Sequence, residues 1–555
     1  MTRKSFHSNS SIANETFPII HVFFFLLLGS VLISFPSRSQ ETTSIVLENH
    51  ISKICPIPKA EYENITSKQN PELAASTIDL LPNKDNFGFF LYDISAGRVL
   101  ESHNADHLFI PASVTKIITA FYALDTLGAH HTFSTKLYVT NDYVEHPTDT
   151  KLYLIGEGDP TLDSYVLHIM AQSLKKKTGL RTVKKFYYGS SSRAWEQAVL
   201  NKKQPLSVPY NPSIGYLNLN FNRVLLQWRN RGNNTILNFY AHADHVSPKV
   251  NSLFHSTIIP NDLSKTGETL ENHTYSDFEK WHFTQNLVKG QGSLWLPVRK
   301  PGYYAASVFR ILAKGNHLSL PPPEEITSLP KNISSIVIHT SQPTYKIITN
   351  MLRYSTNLTA EILGLEASRI RQKKKIDTPI QGSQKQILDI EKHIHEMLNW
   401  LNEYTIFSSF QEKSRILNFS GLSTETRISP RQAVFLLLCM HAYPDYNFPS
   451  MLPKLDNNNT THIKKTAGIT VTGKTGTMYY SRAVTGYIQN DEIPSKTLGF
   501  VIFHTDFNNR NIIDKMPEKT RRTLSPKDTV WLNDARKIES DIIQQWIYAY
   551  LIPDT

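Results

Sequence analysis

Three serines in this chain are followed three positions later by a lysine, a spacing that lets an amine take a proton from a hydroxyl. They are Ser113, Ser173 and Ser328. On a helix these two positions share one face, and a lysine acts as a base when burial or another cation stabilises its neutral form. Only Ser113 and Lys116 begin an apolar helical pattern, which ends at Gly128. They are the candidate nucleophile and base, unless Ser113 only caps the helix.

The tripeptide Lys-Thr-Gly also occurs three times, and its surroundings distinguish the copies. The copy at Lys177 ends a helical stretch, where glycine is a usual cap, and the copy at Lys265 lies in a polar loop. Apolar strand-like segments flank the third copy, Lys474 to Gly476, which Thr477 follows. On an edge strand this copy would point a positive charge and two hydroxyls into a cleft. Gly476 would let a substrate backbone approach.

A third pattern, Ser355-x-Asn357, lies between these two in the chain and by itself indicates only a polar helix-to-loop junction. The order Ser-x-x-Lys, Ser-x-Asn, Lys-Thr-Gly is the signature of penicillin-binding proteins and serine β-lactamases. Within that group the chain resembles the DD-carboxypeptidase/endopeptidase family of the penicillin-binding protein 4 (DacB) type, peptidase family S13. The resemblance runs from about residue 86 to the C-terminus.

Further stretches of sequence carry the same resemblance, namely residues 156–162, 420–423 and 450–453. The gap of about 240 residues between Ser113 and Ser355 also exceeds that of class A β-lactamases. The chain departs from the family pattern at Thr356, where the family usually has aspartate. It also has Asn418 and Phe419 where the family has Asp-Gly. These departures spare the residues to which the family assigns roles.

The resemblance implies the catalytic roles. Ser113 would attack the carbonyl between two D-alanines, and Lys116 would accept its proton. Ser355, bridging Lys116 and Lys474, would relay a proton to the leaving amine. The backbone N–H groups of Ser113 and Thr477 would bind the oxyanion, an arrangement whose single donors are worth about 3 kcal/mol.

The resemblance also implies the substrate-binding residues. Asn357 would hold the amide carbonyl of the substrate. Thr475 and Thr477 would bind its terminal carboxylate, with Gly476 between them and Lys474 adding long-range attraction. No cofactor is implied. The sequence has neither a His-Glu-x-x-His motif nor a clustered set of metal ligands, so a metal mechanism has no support.

The elements that must position these residues form two regions. Strand patterns near both ends, with helices between them, predict one α/β domain with an antiparallel sheet flanked by helices. The resemblance implies the penicillin-binding/β-lactamase-like transpeptidase fold. Residues 136–302 instead contain short strand-like pieces and turns, and we interpret them as inserted β-rich subdomains. The catalytic domain then comprises residues 40–135 and 303–555.

Residues 1–39 are predicted to be a signal peptide. Arg3 and Lys4 precede an apolar block at residues 22–35, about 14 residues long, and small residues follow it. We expect cleavage before Gln40 and a location in the periplasm or cell envelope. Counted from Phe17, the block lengthens to nearly 20 residues, so an uncleaved membrane anchor stays open as an alternative.

The net charge of +11 suits an anionic partner such as cell-wall polymer or a membrane surface. Because the basic residues are dispersed, we do not expect nucleic-acid binding. Cys55 and Cys439 lack the spacing of a zinc or redox site, and the sequence leaves their pairing open.

The expected function is that of a serine-type D-alanyl-D-alanine carboxypeptidase, with DD-endopeptidase activity left open. Its partners would be peptidoglycan stem peptides ending in D-Ala–D-Ala, with β-lactams as covalent inhibitors. Peripheral association with the membrane or cell wall is a further expectation. The alternatives are a β-lactamase or a transpeptidase that uses the same site, and a non-catalytic cell-wall binding protein.

Overall fold

The computed structural model describes residues 71–190, 199–232, 234–261, 271–274, 277–375, 389–404, 414–443, 446–456, 461–493, 496–516 and 526–552. The predicted signal peptide, Cys55 and the Lys-Thr-Gly copy at Lys265 lie outside these ranges. Within them, no helix is long and apolar enough to cross a membrane.

The helices and the strands of the described ranges are each numbered in chain order. The helices are α1 (Pro71–Asp79), α2 (Lys116–Leu127), α3 (Ser164–Thr178), α4 (Pro301–Gly315), α5 (Thr344–Tyr354), α6 (Asn357–Lys375), α7 (Ile390–Asn402), α8 (Pro430–His441), α9 (Phe448–Met451), α10 (Phe507–Lys515) and α11 (Pro526–Tyr550). The strands are β1 (Phe87–Asp93), β2 (Arg98–His103), β3 (Ser134–Thr140), β4 (Lys151–Gly156), β5 (Lys185–Gly189), β6 (Arg223–Arg231), β7 (Asn234–Tyr240), β8 (Phe254–Ile259), β9 (Glu271–Thr274), β10 (Glu279–Thr284), β11 (Gln291–Pro297), β12 (Pro323–Ile326), β13 (Ile333–Thr340), β14 (Ile469–Met478), β15 (Ser481–Asn490) and β16 (Thr497–Thr505). Short 3-10 turns lie at Lys84–Asn86, Ala112–Thr115 and Leu219–Asn222.

One five-stranded sheet is built from both ends of the described chain, as the strand patterns predict. Its spatial order is β14-β15-β16-β1-β2, and every neighbouring pair is antiparallel. Strands β1 and β2 pair as an antiparallel hairpin. Strand β14, which carries the third Lys-Thr-Gly copy, lies at one edge of this sheet.

Both faces of this sheet are buried. Side chains alternate between the two faces of a strand, so along β1 Phe87, Phe89 and Leu91 enter one core while Phe90 and Tyr92 enter the other. The first core also contains residues of α11, and the second contains α2, α5, α6, α7 and α8. Complete burial of a side chain of this size stabilises the fold by about 2 kcal/mol.

The helix limits follow from local chemistry. Helix α8 begins behind a capping box in which Ser429 and Gln432 each accept the other's backbone N–H. Helix α2 ends at Gly128, whose φ of 81° favours glycine. Helices α5 and α6 are separated at Ser355, which adopts the left-handed conformation. The sequence indicates a helix-to-loop junction at this place, and in the structure a second helix follows the junction directly.

Many residues of the predicted insertion, residues 136–302, pack into a third core. A second five-stranded sheet has the order β12-β5-β4-β3-β13, and two three-stranded sheets have the orders β8-β10-β9 and β11-β6-β7. Helices α3 and α4 pack into the same core. Strands β12 and β13 pair with β5 and β3, so this sheet extends to Thr340. The predicted insertion ends at residue 302, before β12 and β13. The sequence does not reveal that these two strands pair with β5 and β3, because the partners are far apart in the chain.

Candidate active site

Ser113 lies in the 3-10 turn Ala112–Thr115, immediately before α2. No side-chain capping bond starts this turn or the helix. The interpretation of Ser113 as a simple helix cap is therefore wrong. The preceding residue, Ala112, has a φ of 46°, a conformation that is rare outside glycine and that clusters at functional sites.

Two glycines bring other segments against the turn that carries Ser113. A Cβ at Gly476 would lie 2.5 Å from the carbonyl oxygen of Pro111 and 2.9 Å from the backbone nitrogen of Ser113. A Cβ at Gly421 would lie 1.8 Å from the carbonyl oxygen of Ala112. The glycine of the Lys-Thr-Gly motif is thus required by the protein's own backbone. Its predicted role toward the substrate backbone stays a prediction.

The side chain of Lys116 is completely buried, and its amine has three oxygen neighbours. Nζ lies 2.9 Å from Ser113 Oγ, 2.8 Å from Asn357 Oδ1 and 2.7 Å from the carbonyl oxygen of Ser420. The last two oxygens can only accept hydrogen bonds. In a neutral amine they take up both N–H groups, and the nitrogen lone pair is then left to accept the proton of Ser113.

The electrostatic environment favours the neutral form of the Lys116 amine. Burial, and after it the positive charge of Lys474, hold the pKa of Lys116 well below its ordinary value. The carboxyl group of Glu361 opposes this shift. Burial next to a second cation is the environment that makes a lysine a base. The pair predicted from the sequence therefore has the geometry and the charge environment that proton removal requires.

Ser355 and Asn357 reach the site from the junction of α5 and α6. Both line the same cavity as Ser113. Ser355 has a φ of 55° and a ψ of 38°, a strained conformation for serine. Lys116 donates to Asn357, whereas no hydrogen bond joins the Ser355 hydroxyl to Lys116 or Lys474, all of which are described residues. The proton-relay role of Ser355 stays a prediction.

The edge strand β14 supplies the other predicted residues. Lys474 is buried, and its amine donates to the carbonyl oxygen of Thr475 at 2.6 Å. Burial, followed by the charge of Arg482, lowers the pKa of Lys474 to about 7. Thr477 lines the cavity beside Ser113, and its Oγ1 accepts a hydrogen bond of 2.8 Å from Arg482.

Sequence reasoning missed two groups behind Lys116, namely the Glu361 carboxyl group and the carbonyl oxygen of Ser420. Glu361 is fully buried, and its carboxyl oxygens accept the backbone N–H groups of Phe419 at 3.2 Å and Ser420 at 2.9 Å. These bonds fix the backbone whose carbonyl oxygen accepts from Lys116. One signal was available, since Glu361 follows Asn357 by four positions and such residues share a helix face.

A cavity of about 410 Å³ lies over these groups, and residues of the predicted insertion form part of its wall. Gln204 and Tyr210 of that region line it. The carbonyl oxygen of Tyr210 accepts from Asn357 Nδ2 at 3.0 Å, and Gln204 donates to the carbonyl oxygen of Leu422 at 3.0 Å. The predicted insertion therefore contacts Asn357, the predicted substrate-binding asparagine, through a hydrogen bond.

The other motif copies lie elsewhere. Ser173 belongs to α3, which ends at Gly179 in the left-handed cap conformation that the sequence predicts. Lys177 donates to the backbone carbonyl of Ile336. Ser328 lies between β12 and β13. None of these residues lines the cavity. In the described ranges, no three His, Cys, Asp or Glu residues are grouped so that they could hold a metal ion.

The chain is similar to a curated protein and to several solved structures. A curated D-alanyl-D-alanine carboxypeptidase of Actinomadura sp. (strain R39) is 32% identical over 123 residues. That match covers 22% of this chain and 23% of the relative, so the chain aligns with about a quarter of the relative's length.

Solved structures agree with the fold. Penicillin binding protein 4 (dacB) from Haemophilus influenzae has a TM-score of 0.62 and 15% identity, over 85% of this chain and 98% of that chain. Its complex with a novel β-lactam gives a TM-score of 0.60 and 16% identity, over 86% and 99%. These similarities confirm the predicted fold class. The sequence profile of the D-Ala-D-Ala carboxypeptidase 3 (S13) family matches residues 69–523, which is most of the chain. The chain belongs to this family.

Proposed function

We propose that the chain is a serine-type D-Ala–D-Ala carboxypeptidase that forms an acyl-enzyme on Ser113. The observation that carries this proposal is the placement of Lys116. Its buried amine lies 2.9 Å from the hydroxyl of Ser113, while two acceptor-only oxygens hold its other protons. Membership of the S13 family supports the substrate class.

Acylation begins with attack on the carbonyl carbon of the penultimate D-Ala. Ser113 Oγ forms the new bond, and its proton passes to Nζ of Lys116. The negative charge that develops on the carbonyl oxygen is stabilised by the backbone N–H groups of Ser113 and Thr477, each contributing about 3 kcal/mol. As the C–N bond breaks, Ser355 relays the proton from Lys116 to the leaving nitrogen, and D-Ala departs as a free amine.

Deacylation reverses these roles with water as the nucleophile. Lys116, neutral again, takes a proton from water, whose oxygen adds to the ester carbonyl. The ester C–O bond breaks, and Ser113 recovers its hydroxyl proton. Thr475 and Thr477 hold the terminal carboxylate of the substrate during acylation, and Lys474 attracts it from a distance.

A β-lactam follows the first half of this sequence. Its ring nitrogen is the leaving group but stays tethered to the acyl group, so it obstructs the path of the deacylating water. The β-lactam complex of the Haemophilus influenzae protein, which shares this fold, supports such binding.

We also propose that the protein is exported to the periplasm or cell envelope. The basic N-terminus and the apolar block at residues 22–35 support export, and the net charge of +11 supports association with anionic cell-wall polymer. Expression of the full chain followed by fractionation and N-terminal sequencing tests this. A mature N-terminus at Gln40 in the envelope fraction is expected, whereas an unprocessed chain in the cytoplasmic fraction would overturn it.

Release of D-Ala from an acylated tripeptide ending in D-Ala–D-Ala tests the proposed reaction. We expect release by the wild-type protein and none when the terminal residue is L-Ala. The variant Lys116→Met has a similar volume and no amine, so release should fall by about three orders of magnitude, within the range for general-base catalysis. A folded wild-type protein that releases no D-Ala would contradict the proposal.

A further inference from the structure

A buried ion pair lies directly behind the substrate-binding strand. Arg482 on β15 pairs with Thr477 on β14 in the sheet register. Its Nε donates to both carboxylate oxygens of Glu539 on α11, at 2.9 and 3.2 Å. Both side chains are only 2% exposed. A third bond, of 2.8 Å, runs from Arg482 to Thr477 Oγ1.

The third bond, between Arg482 and Thr477 Oγ1, can have only one donor. A guanidinium has donors and no acceptor, so the oxygen of Thr477 must accept from Arg482. The hydroxyl proton of Thr477 therefore points away from Arg482. Because Thr477 lines the cavity together with Ser113, that proton is available to a ligand there. A carboxylate is an acceptor-only group and is the natural partner for it.

Arg482 itself carries a fixed positive charge. A guanidinium remains positive at all physiological pH values, whereas Lys474, with a pKa of about 7, is only partly charged near neutrality. Stability alone does not explain the pair, since well-packed apolar residues often replace a buried ion pair without loss.

We propose that Arg482, held in place by Glu539, is a positioning residue that sets Thr477 as a donor to the terminal carboxylate of the substrate. The pair thereby gives the enzyme its preference for substrates with a free C-terminal carboxylate. This inference rests on the proposed carboxypeptidase function. It also links the C-terminal helix α11 to substrate selection.

The test compares two substrates that differ only in this carboxylate. They are the N-acyl-D-alanyl thioesters of thioglycolate and of thioglycolamide, whose thiolate leaving groups make acylation measurable in both. The preference is the ratio of the two kcat/KM values. In Arg482→Gln and Glu539→Gln, this ratio should fall about tenfold or more, the usual effect of a hydrogen bond to a charged group. The fall should come mainly from a raised KM for the thioglycolate ester.

A matched control comes from another ion pair in the described part of the chain. Arg371 on α6 donates to Glu396 on α7 at 3.0 Å, and neither residue lines the cavity. Arg371→Gln should lower stability and leave the ratio unchanged. If Arg482→Gln or Glu539→Gln does not fold, the double variant Arg482→Met/Glu539→Leu removes both charges together and retains an apolar core.

The outcomes separate the two proposals. If penicillin does not acylate Ser113 in the wild-type protein, the proposed function is wrong. If the wild type is acylated and prefers the carboxylate ester, but a folded variant without Arg482 keeps that preference, only the role of Arg482 is wrong. Equal losses on both esters would also overturn it, because they indicate a general structural role.

Discussion

Removing the charge of Glu361 tests how the site keeps Lys116 neutral and in place. In Glu361→Gln, the side chain keeps its shape but has one acceptor oxygen and one NH₂ group. The carboxyl oxygens accept the backbone N–H groups of Phe419 and Ser420 in the native protein. One of these N–H groups would then face another donor and lose its partner inside a fully buried environment.

Two effects follow from this change. An unpaired buried N–H costs about 1–3 kcal/mol, so the free energy of unfolding should fall by about 2 kcal/mol. The carbonyl oxygen of Ser420 is then less firmly held against Lys116. We expect this looser contact to cost about 1.4 kcal/mol at the transition state, which would slow acylation about tenfold.

The pH dependence gives the sharper readout. Acylation requires neutral Lys116, so its rate rises with pH through the pKa of that amine. Glu361 opposes the lowering of this pKa. Removal of the carboxylate should therefore lower the pKa further and move the acid limb of the pH–rate profile to lower pH. Stopped-flow acylation by penicillin across a pH series measures both the limb and the maximum rate.

A second buried glutamate on the same helix serves as the control. Glu366 is 1% exposed and accepts from Arg369 on α6. Glu366→Gln should lower stability without moving the acid limb. If Glu361→Gln leaves the limb where it is in the wild type, or moves it to higher pH, the assigned electrostatic role of Glu361 is refuted.

Three further predictions use the same acylation assay. Ser113→Ala should abolish covalent labelling, whereas Ser173→Ala and Ser328→Ala should leave it unchanged; full labelling of Ser113→Ala would refute the assignment. Because Lys474 is positive only below its pKa of about 7, kcat/KM for a carboxylate substrate should decline as pH rises through about 7, and a folded Lys474→Ala variant should lack this decline. In Gly476→Ala the new methyl would lie 2.5 Å from a backbone oxygen, so the melting temperature and the acylation rate should both fall, at a cost of about 1–3 kcal/mol in stability. A variant as stable and active as wild type would contradict this close approach.

The sequence was most informative where function depends on local patterns. The apolar helical pattern that begins at Ser113 and Lys116 distinguished this serine from Ser173 and Ser328. The apolar segments around Lys474 predicted its strand correctly, and β14 lies at the sheet edge as expected. The roles of Asn357 and Ser355 toward substrate stay predictions.

The remaining features depend on contacts between distant segments. The partner of Lys116 at residue 420 is a backbone carbonyl, which any residue type would supply, so the side chain at this position does not reveal the contact. The Arg482–Glu539 pair joins positions 57 residues apart through the packing of α11 on the sheet. The pairing of β13 with β3 likewise joins segments that are far apart in the sequence.

The assignment of Ser113 as the nucleophile is tested most directly by intact-mass spectrometry of the protein after exposure to penicillin, followed by peptide mapping of the adduct. We expect a single addition equal to the mass of the β-lactam, located on Ser113, and its loss in Ser113→Ala. The absence of an adduct on the folded wild-type protein, or an adduct at another residue, would contradict the assignment of Ser113 as the nucleophile.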